Sequence, residues 1–234
     1  MVQAVAGAGK TTFLLNQLNL ENNVALITYT KNNQEQLKEN IIKKFGYYPN
    51  NIHVFGLFEF LYNFCYRPLQ NKYPITGICF DHPSPYLKGF HHKDGRIYSN
   101  QISRLLLAEK INYLTRIERF FDYFYIDEVQ DIAADDFDWL MSLKDLKIPV
   151  TLVGDFYQST FVSSRRGNKG KAIYSSIENY KNQFDQNGFH FEESKLSASH
   201  RCSKSVSHFI QENLNIRMES HRDDVTNIEL LTDI

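Results

Sequence analysis

Hydrophobic and polar positions along the chain follow two periods in turn. Short apolar runs bounded by turn residues occur at Val2–Val5, Val24–Thr28, His53–Phe55, Tyr123–Ile126, Pro149–Val153 and Phe191–Leu196, and each reads as a strand. Between them the apolar residues recur at helical spacing. Leu14 and Leu18 share a face in Thr11–Leu20, as do Leu37, Ile41, Ile42 and Phe45 in Gln34–Phe45. In Gln101–Glu118 the same face holds Ile102, Leu106, Leu107, Ile111 and Leu114. Further helices are predicted at the aromatic-rich Leu57–Tyr66 and at Asp135–Leu146, Ala172–Phe184 and Ser203–Leu214, with a last short strand at Ile228–Leu231. The stretch Arg67–Asn100, with Pro68, Pro74, Pro83 and Pro85 among Gly77, Gly89 and Gly95, breaks both periods and reads as an irregular insertion. Strands alternating with helices predict an α/β fold: a parallel sheet covered by helices on both faces, joined by right-handed crossovers. Ligands of such sheets sit at the carboxyl ends of the strands.

Composition narrows this without redirecting it. The 234 residues are 42% hydrophobic and 14% aromatic, which suits a packed core rather than a disordered chain. Net charge is −1, so any nucleic-acid contact must come from a local patch. Cys65, Cys79 and Cys202 are odd in number and widely spaced, which argues against a disulfide framework and for a reducing compartment, the cytoplasm. No apolar run is long enough to span a membrane, and the start carries no signal-peptide pattern. Cys79, His82, His91 and His92 match no tight zinc-ligand spacing.

Four segments carry chemistry. In Ala4-Val5-Ala6-Gly7-Ala8-Gly9-Lys10-Thr11-Thr12, the glycines let successive backbone N–H groups turn toward phosphate oxygens, and the helix that follows offers its positive end to the same anion. Lys10 suits the β- and γ-phosphates of ATP, and the Thr11 hydroxyl suits magnesium. The general phosphate-loop pattern begins with glycine where this chain has Ala4. In Asp127-Glu128-Val129-Gln130-Asp131, at a strand end, Asp127 suits magnesium and Glu128 suits orienting and deprotonating a water. Gly154-Asp155-Phe156-Tyr157-Gln158-Ser159 offers Gln158 to a γ-phosphate, though its spacing also fits an ordinary turn. Ser199-His200-Arg201-Cys202 offers the Arg201 fork to phosphate, or a surface ion pair.

In this order and spacing the four segments resemble superfamily 1 helicases of the UvrD/PcrA/Rep type, over about residues 2–216. That family's phosphate loop typically opens with alanine, so Ala4 fits it. The acidic segment resembles the family's motif II, Gly154–Ser159 its motif III and Ser199–Cys202 its motif IV. Ala25–Thr30 resembles motif Ia, and Val54-Phe55-Gly56 is faintly similar to motif Ib. The resemblance implies a RecA-like ATPase domain at 1–66 and 101–216, a reduced insertion at 67–100, and the start of a second such domain or a tail at 217–234. It implies ATP and Mg²⁺ as ligands, held by Ala6, Gly7, Ala8, Gly9, Lys10, Thr11, Thr12, Asp127, Gln158 and Arg201. Lys10, Glu128, Gln158 and Arg201 would be catalytic, and Thr28, Tyr29, Thr30 and Phe161 would meet single-stranded DNA. Arg165 and Arg166, with Lys169 and Lys171, form a basic loop that suits a phosphate backbone or simply solvent.

The departures matter too. The family's tryptophan after motif III is missing, since Trp139 is the only one in the chain, and the usual histidine of motif Ib is Gly56. The upstream adenine-reading glutamine and the second-domain motifs are absent. The expectation is the ATP-binding half of a DNA helicase or translocase, its second RecA-like domain supplied by the rest of a longer protein or by a partner. The competing expectation is a nucleotide-gated sensor or assembly subunit acting on a partner such as a nuclease in a phage-defence complex. A small-molecule kinase leaves Gln130, Gln158 and Arg201 together unexplained.

Overall fold

The computed structural model describes residues 1–70, 75–81, 94–159, 163 and 169–229. The strands are β1 (Val2–Ala4), β2 (Val24–Thr28), β3 (Ile52–Gly56), β4 (Ile78–Cys79), β5 (Ile97–Tyr98), β6 (Tyr123–Ile126), β7 (Val150–Gly154), β8 (Glu192–Leu196), β9 (Ala198–Ser199) and β10 (Glu219–Ser220). The α-helices are α1 (Lys10–Gln17), α2 (Lys31–Phe45), α3 (Leu57–Glu59), α4 (Ile102–Ala108), α5 (Tyr113–Phe120), α6 (Asp135–Ser142), α7 (Ile177–Gln186) and α8 (Lys204–Leu214).

Six strands form one sheet in the order β3-β2-β6-β7-β1-β8, and the neighbours pair in parallel. The two faces divide by the strand period of two. On β2, Ala25 and Ile27 enter one core with Phe124 and Ile126 of β6, Leu152 of β7, and residues of α4 to α7. Val24 and Leu26 enter the other with Tyr125, Val153, Leu14 of α1, and Leu37 and Ile41 of α2. Strands buried on both faces must be apolar throughout, which is why β2 reads as a continuous hydrophobic run. This is the α/β phosphate-loop fold with a RecA-like parallel sheet that the motifs imply. Among the described residues no helix is long and apolar enough to cross a membrane.

Several elements differ from the sequence reading. The helix predicted over 101–118 is two helices, broken where Lys110 takes a φ of 51° and Asn112 caps α5 by accepting from Thr115 N at 3.4 Å. The apolar spacing stays in phase across the break, so Ile102, Leu106 and Ile117 still reach one core. After α3 the aromatic segment winds as a π-helix, Phe60–Tyr66, whose wider turn lets Phe60 and Phe64 stack at 5.0 Å and 11°. Ala172–Phe184 is a short 3₁₀ turn, Ile173–Ser175, followed by α7, whose N-cap is Ser176. Within the insertion, β4 and β5 pair in parallel, and Cys79 Sγ donates to Asp81 Oδ2 at 3.4 Å. His82, His91 and His92 lie outside the described residues, among which no three metal-ligating side chains converge. Ile228 and Glu229 carry no strand, and Leu230 and Leu231 lie outside the described residues.

Candidate nucleotide site

The phosphate loop leaves β1 at the carboxyl edge of the sheet and closes on itself through Ala8 N donating to Val5 O at 3.1 Å. Gly7 and Gly9 take φ values of 73° and 84°, in the left-handed region where a side chain is strained. At Gly7 a second constraint applies: a Cβ would lie 2.6 Å from Arg201 Cβ and 2.9 Å from Ser199 Oγ. Gly9 caps α1 and Lys10 is its first residue, so the loop N–H groups and the helix end face the same space.

Lys10 Nζ stands 3.3 Å from Glu128 Oε2, with both side chains less than a quarter exposed. Glu128 itself has φ 55° and ψ 46°, a conformation rare for a residue with a Cβ. Its carboxylate also accepts from Gln130 Nε2 at 2.7 Å. The other end of that amide accepts from Asp155 N at 3.0 Å, and Ser159 Oγ donates to Gln130 O at 3.2 Å. A Cβ on Gly154 would come within 2.6 Å of Gln130 Oε1, so the bridge requires glycine there. Gln130 thus ties the end of β6 to the loop after β7, while Gln3 Oε1 accepts from Phe156 N at 3.2 Å and ties that loop to β1.

Asp127 lies beside this pair, 5% exposed, with Oδ1 accepting from Glu128 N at 3.0 Å. Burial, reinforced by the Glu128 charge and opposed by Lys10, pushes its carboxyl up to about 7. Burial likewise raises Asp155 to about 6, against the pull of Lys10.

The remaining wall comes from the far end of the chain. Ser199 Oγ donates to Ala6 O at 2.7 Å and accepts from Arg201 N at 3.1 Å and Cys202 N at 3.0 Å. His200 N donates to Gly7 O at 3.0 Å. A cavity of about 570 Å³ results, lined by Gly7, Ala8, Gly9, Lys10, Thr11, Gln36, Glu128, Gln158, His200 and Arg201. Predicted residues from four separate segments therefore meet around one space. The glycine cradle, the helix end, Lys10 and Arg201 suit a polyphosphate; Thr11 lines the same cavity, whereas Asp127 is buried behind Glu128 and does not line it. Ala6 holds its place through its carbonyl, and Thr12 is exposed on α1. Gln36, on α2, carries no motif signature, and nothing in the sequence marks it as a wall of this cavity.

A second cavity, about 620 Å³, shares Glu128 and Gln158 and is lined also by Thr30, Asn32, Asn33, Gln130, Asp131 and Tyr157. The predicted strand contacts divide around it. Thr28 is 1% exposed, with Oγ1 buried, so it faces the interior rather than a ligand, a correction that follows from β2 being central in the sheet. Tyr29 is half-buried and its ring meets Phe58 edge-on at 6.0 Å; Phe58 in turn meets the exposed Phe80 at 5.7 Å. Thr30 caps α2, accepting from Asn33 N at 3.2 Å. Phe161, Arg165 and Arg166 lie outside the described residues. Lys169 bonds to Asp135 at 2.5 Å and to Asp138, so its charge is already matched. Lys171 is exposed. At Gly56 a Cβ would lie 2.6 Å from Gln34 Nε2, the free end of a side chain that can turn aside.

No protein-family model matches the sequence, and no curated protein sequence matches it. Among solved structures, the chain is similar over 94% of its length to the PRRSV helicase, at 15% identity and a TM-score of 0.43. It is similar over 91% of its length to unliganded Pif1 from Bacteroides sp, at 17% identity and a TM-score of 0.39. It is similar over 82% of its length to Bacteroides sp Pif1 in complex with ADP-AlF4, at 16% identity and a TM-score of 0.34. The chain spans 34%, 40% and 36% of those three chains respectively.

Proposed function

We propose that this chain is the ATP-binding half of a DNA helicase or translocase of the UvrD/PcrA/Rep type, which hydrolyses ATP to move on single-stranded DNA. One observation carries the reading most: the side-chain amide of Gln130 links Glu128, beside Lys10, to the backbone of Asp155. A phosphotransferase needs only the cradle and a base. A motor also needs the state of the γ-phosphate to reach loops that touch its track, and Gln130, which lines the second cavity, is bonded to Glu128, which lines both.

In this reading Lys10 and the loop N–H groups hold the phosphates, and Gln158 and Arg201 meet the terminal one. Glu128 orients the attacking water and takes its proton. Thr11 and Asp127 are the residues that would hold Mg²⁺, which would neutralise phosphate charge. Tyr29, Phe58 and the exposed Phe80 meet edge-on in a row, and in this reading they offer stacking surface to single-stranded DNA. A second RecA-like domain, from the rest of a longer protein or from a partner, closes over the nucleotide and supplies an arginine worth about 10³–10⁵ in rate.

One observation favours the sensor reading. Trp139, the sole tryptophan, is fully buried in the core, its ring against Phe60, and is out of reach of any base. A chain with fewer stacking contacts suits a nucleotide-gated subunit that signals to a partner such as a nuclease. ATP turnover of the complete protein with and without single-stranded DNA, alongside Lys10→Ala and Glu128→Gln, separates the two. DNA stimulation lost in both variants supports the motor; turnover indifferent to DNA and responsive only to a protein partner refutes it.

A further inference from the structure

Arg201 follows β9, a strand of two residues, which is too short to fix the loop by itself. A strap from the far side of α8 tracks it position by position. Glu219 pairs with Ala198 and Ser220 with Ser199, through Glu219 N donating to Ser197 O at 2.8 Å and His221 N donating to Ser199 O at 2.9 Å. One position on, the His221 and His200 rings lie face to face, 4.0 Å apart and 15° from parallel. At the next position, Arg222 Nη1 donates to the carbonyl of Arg201 at 2.8 Å. The rest of that guanidinium grips Asp224, Nε to Oδ1 at 2.8 Å and Nη2 to Oδ2 at 2.5 Å. Ser220 Oγ adds a bond to Cys202 O at 2.8 Å.

Strand pairing runs from 219 against 198 to 220 against 199, and a ring contact and a side-chain bond carry the match on to 222 against 201. The opposite side of the same loop is fastened to the phosphate loop through Ser199 Oγ and His200 N. The Arg201 peptide therefore sits between the phosphate cradle and the strap. A planar fork held on Asp224 has one nitrogen left over, aimed at a single carbonyl, and lysine could not reproduce that geometry.

We propose that the strap 219–224 positions Arg201 for the γ-phosphate, with Arg222 as its locking residue, so that the strap sets the preference of the site for ATP over ADP. This rests on the reading that Arg201 meets the γ-phosphate. Linkage makes the effect reciprocal: whatever the strap adds to ATP affinity, bound ATP returns as strap stability.

The test is titration of the chain with a fluorescent non-hydrolysable ATP analogue and with the matching ADP, in the presence of Mg²⁺. Arg222→Ala lowers the ATP-over-ADP affinity ratio about three- to tenfold by weakening the analogue and sparing ADP, and Arg222→Lys restores little of it. Asp224→Asn, which leaves Arg222 in place without its anchor, shifts the ratio in the same direction and stands in if Arg222→Ala fails to fold. Amide exchange at 219–224 slows more with the analogue than with ADP. An unchanged ratio in both strap variants, or equal loss of both nucleotides, overturns the proposal, provided Arg201→Ala still collapses the ratio. If Arg201→Ala leaves the ratio unchanged, the γ-phosphate reading fails first and the strap proposal falls with it.

Discussion

Glu128→Gln separates binding from chemistry in a way the geometry makes quantitative. Lys10 and Glu128 stand 3.3 Å apart. At an effective dielectric of about 20, such a pair attracts by about 5 kcal/mol before desolvation and screening are counted. After those costs a partly exposed pair retains about 1–2 kcal/mol. ATP must draw Lys10 toward its phosphates against that pull, and its own negative charge is repelled by the Glu128 carboxylate. The glutamine variant removes both oppositions while its amide oxygen can still accept from Gln130 Nε2. ATP should therefore bind about tenfold more tightly in the variant, since 1.4 kcal/mol is a factor of ten. Turnover should fall by about 10²–10⁴, the usual contribution of a positioned general base. The assay is equilibrium titration with fluorescent ATP, which the variant holds without consuming, followed by single-turnover hydrolysis. Weaker or unchanged ATP affinity, in a variant whose melting curve matches the parent, would refute the claim that Glu128 competes for Lys10.

Four further outcomes follow from the contacts around the candidate site. Because Asp127 is raised to about 7, it holds a proton below that pH, and Mg²⁺ must displace it. Mg·ATP affinity should rise by up to about tenfold per pH unit as pH approaches 7 and flatten above, a dependence absent from Asp127→Asn and seen by titration across that range. The same raised value means that Asp127 stabilises the fold most at pH below its unfolded value and loses that contribution as pH rises through about 7, so Asp127→Asn should melt higher than the parent in alkaline buffer. Gly7→Ala places a Cβ at 2.6 Å from Arg201 Cβ in a left-handed residue and should cost at least about 2 kcal/mol in urea unfolding, with nucleotide binding lost. Gln130→Ala leaves Asp155 N without its partner and should cost about 1–3 kcal/mol, while any DNA stimulation of turnover drops more than basal turnover does.

The inner strands β2 and β6 were legible because they are buried on both faces. Val24–Thr28 and Tyr123–Ile126 agree with the apolar runs to the residue, and Val150–Gly154 is displaced by one. What was hidden depends on partners remote in sequence. β9 and β10 are two residues each, with no periodic signal of their own, and form only because 219–222 returns beside 198–201. The break at Lys110 is invisible because both half-helices present apolar residues in phase to one core. In the site, Lys10 and Glu128 could be given roles from their motifs alone, whereas Ser199, although it opens a motif, has its role set by a carbonyl 193 positions away. Thr28 shows the limit of motif reasoning: its place in the motif suggested a surface contact, and its place in a central strand buries it.

The strand order explains why the bridging residues are the types they are. β7 lies between β1 and β6, so the phosphate loop and the Asp127-Glu128 pair leave the sheet two strands apart. That gap leaves room over the end of β7, but it also separates groups that the proposed function puts on one phosphate. One side chain spans it and a second covers the half between β6 and β7. Lys10 reaches from the start of α1 to Glu128, and Gln130 reaches back over Gly154 to Asp155. An amide suits the second span because it donates to a carboxylate at one end and accepts from a peptide N–H at the other; a carboxylate or an ammonium could satisfy only one of these. Gly154 suits it because any Cβ would occupy the amide oxygen's place. A displacement of Glu128 on the nucleotide side is therefore felt at Asp155 and along the 155–159 loop that carries Gln158. Gly154→Ala should break that relay while leaving the phosphate loop intact: nucleotide affinity would stay near the parent value, and DNA would cease to alter turnover. Nucleotide binding lost outright in Gly154→Ala would instead place β7 among the elements that build the cradle, and the relay would lose its separate standing.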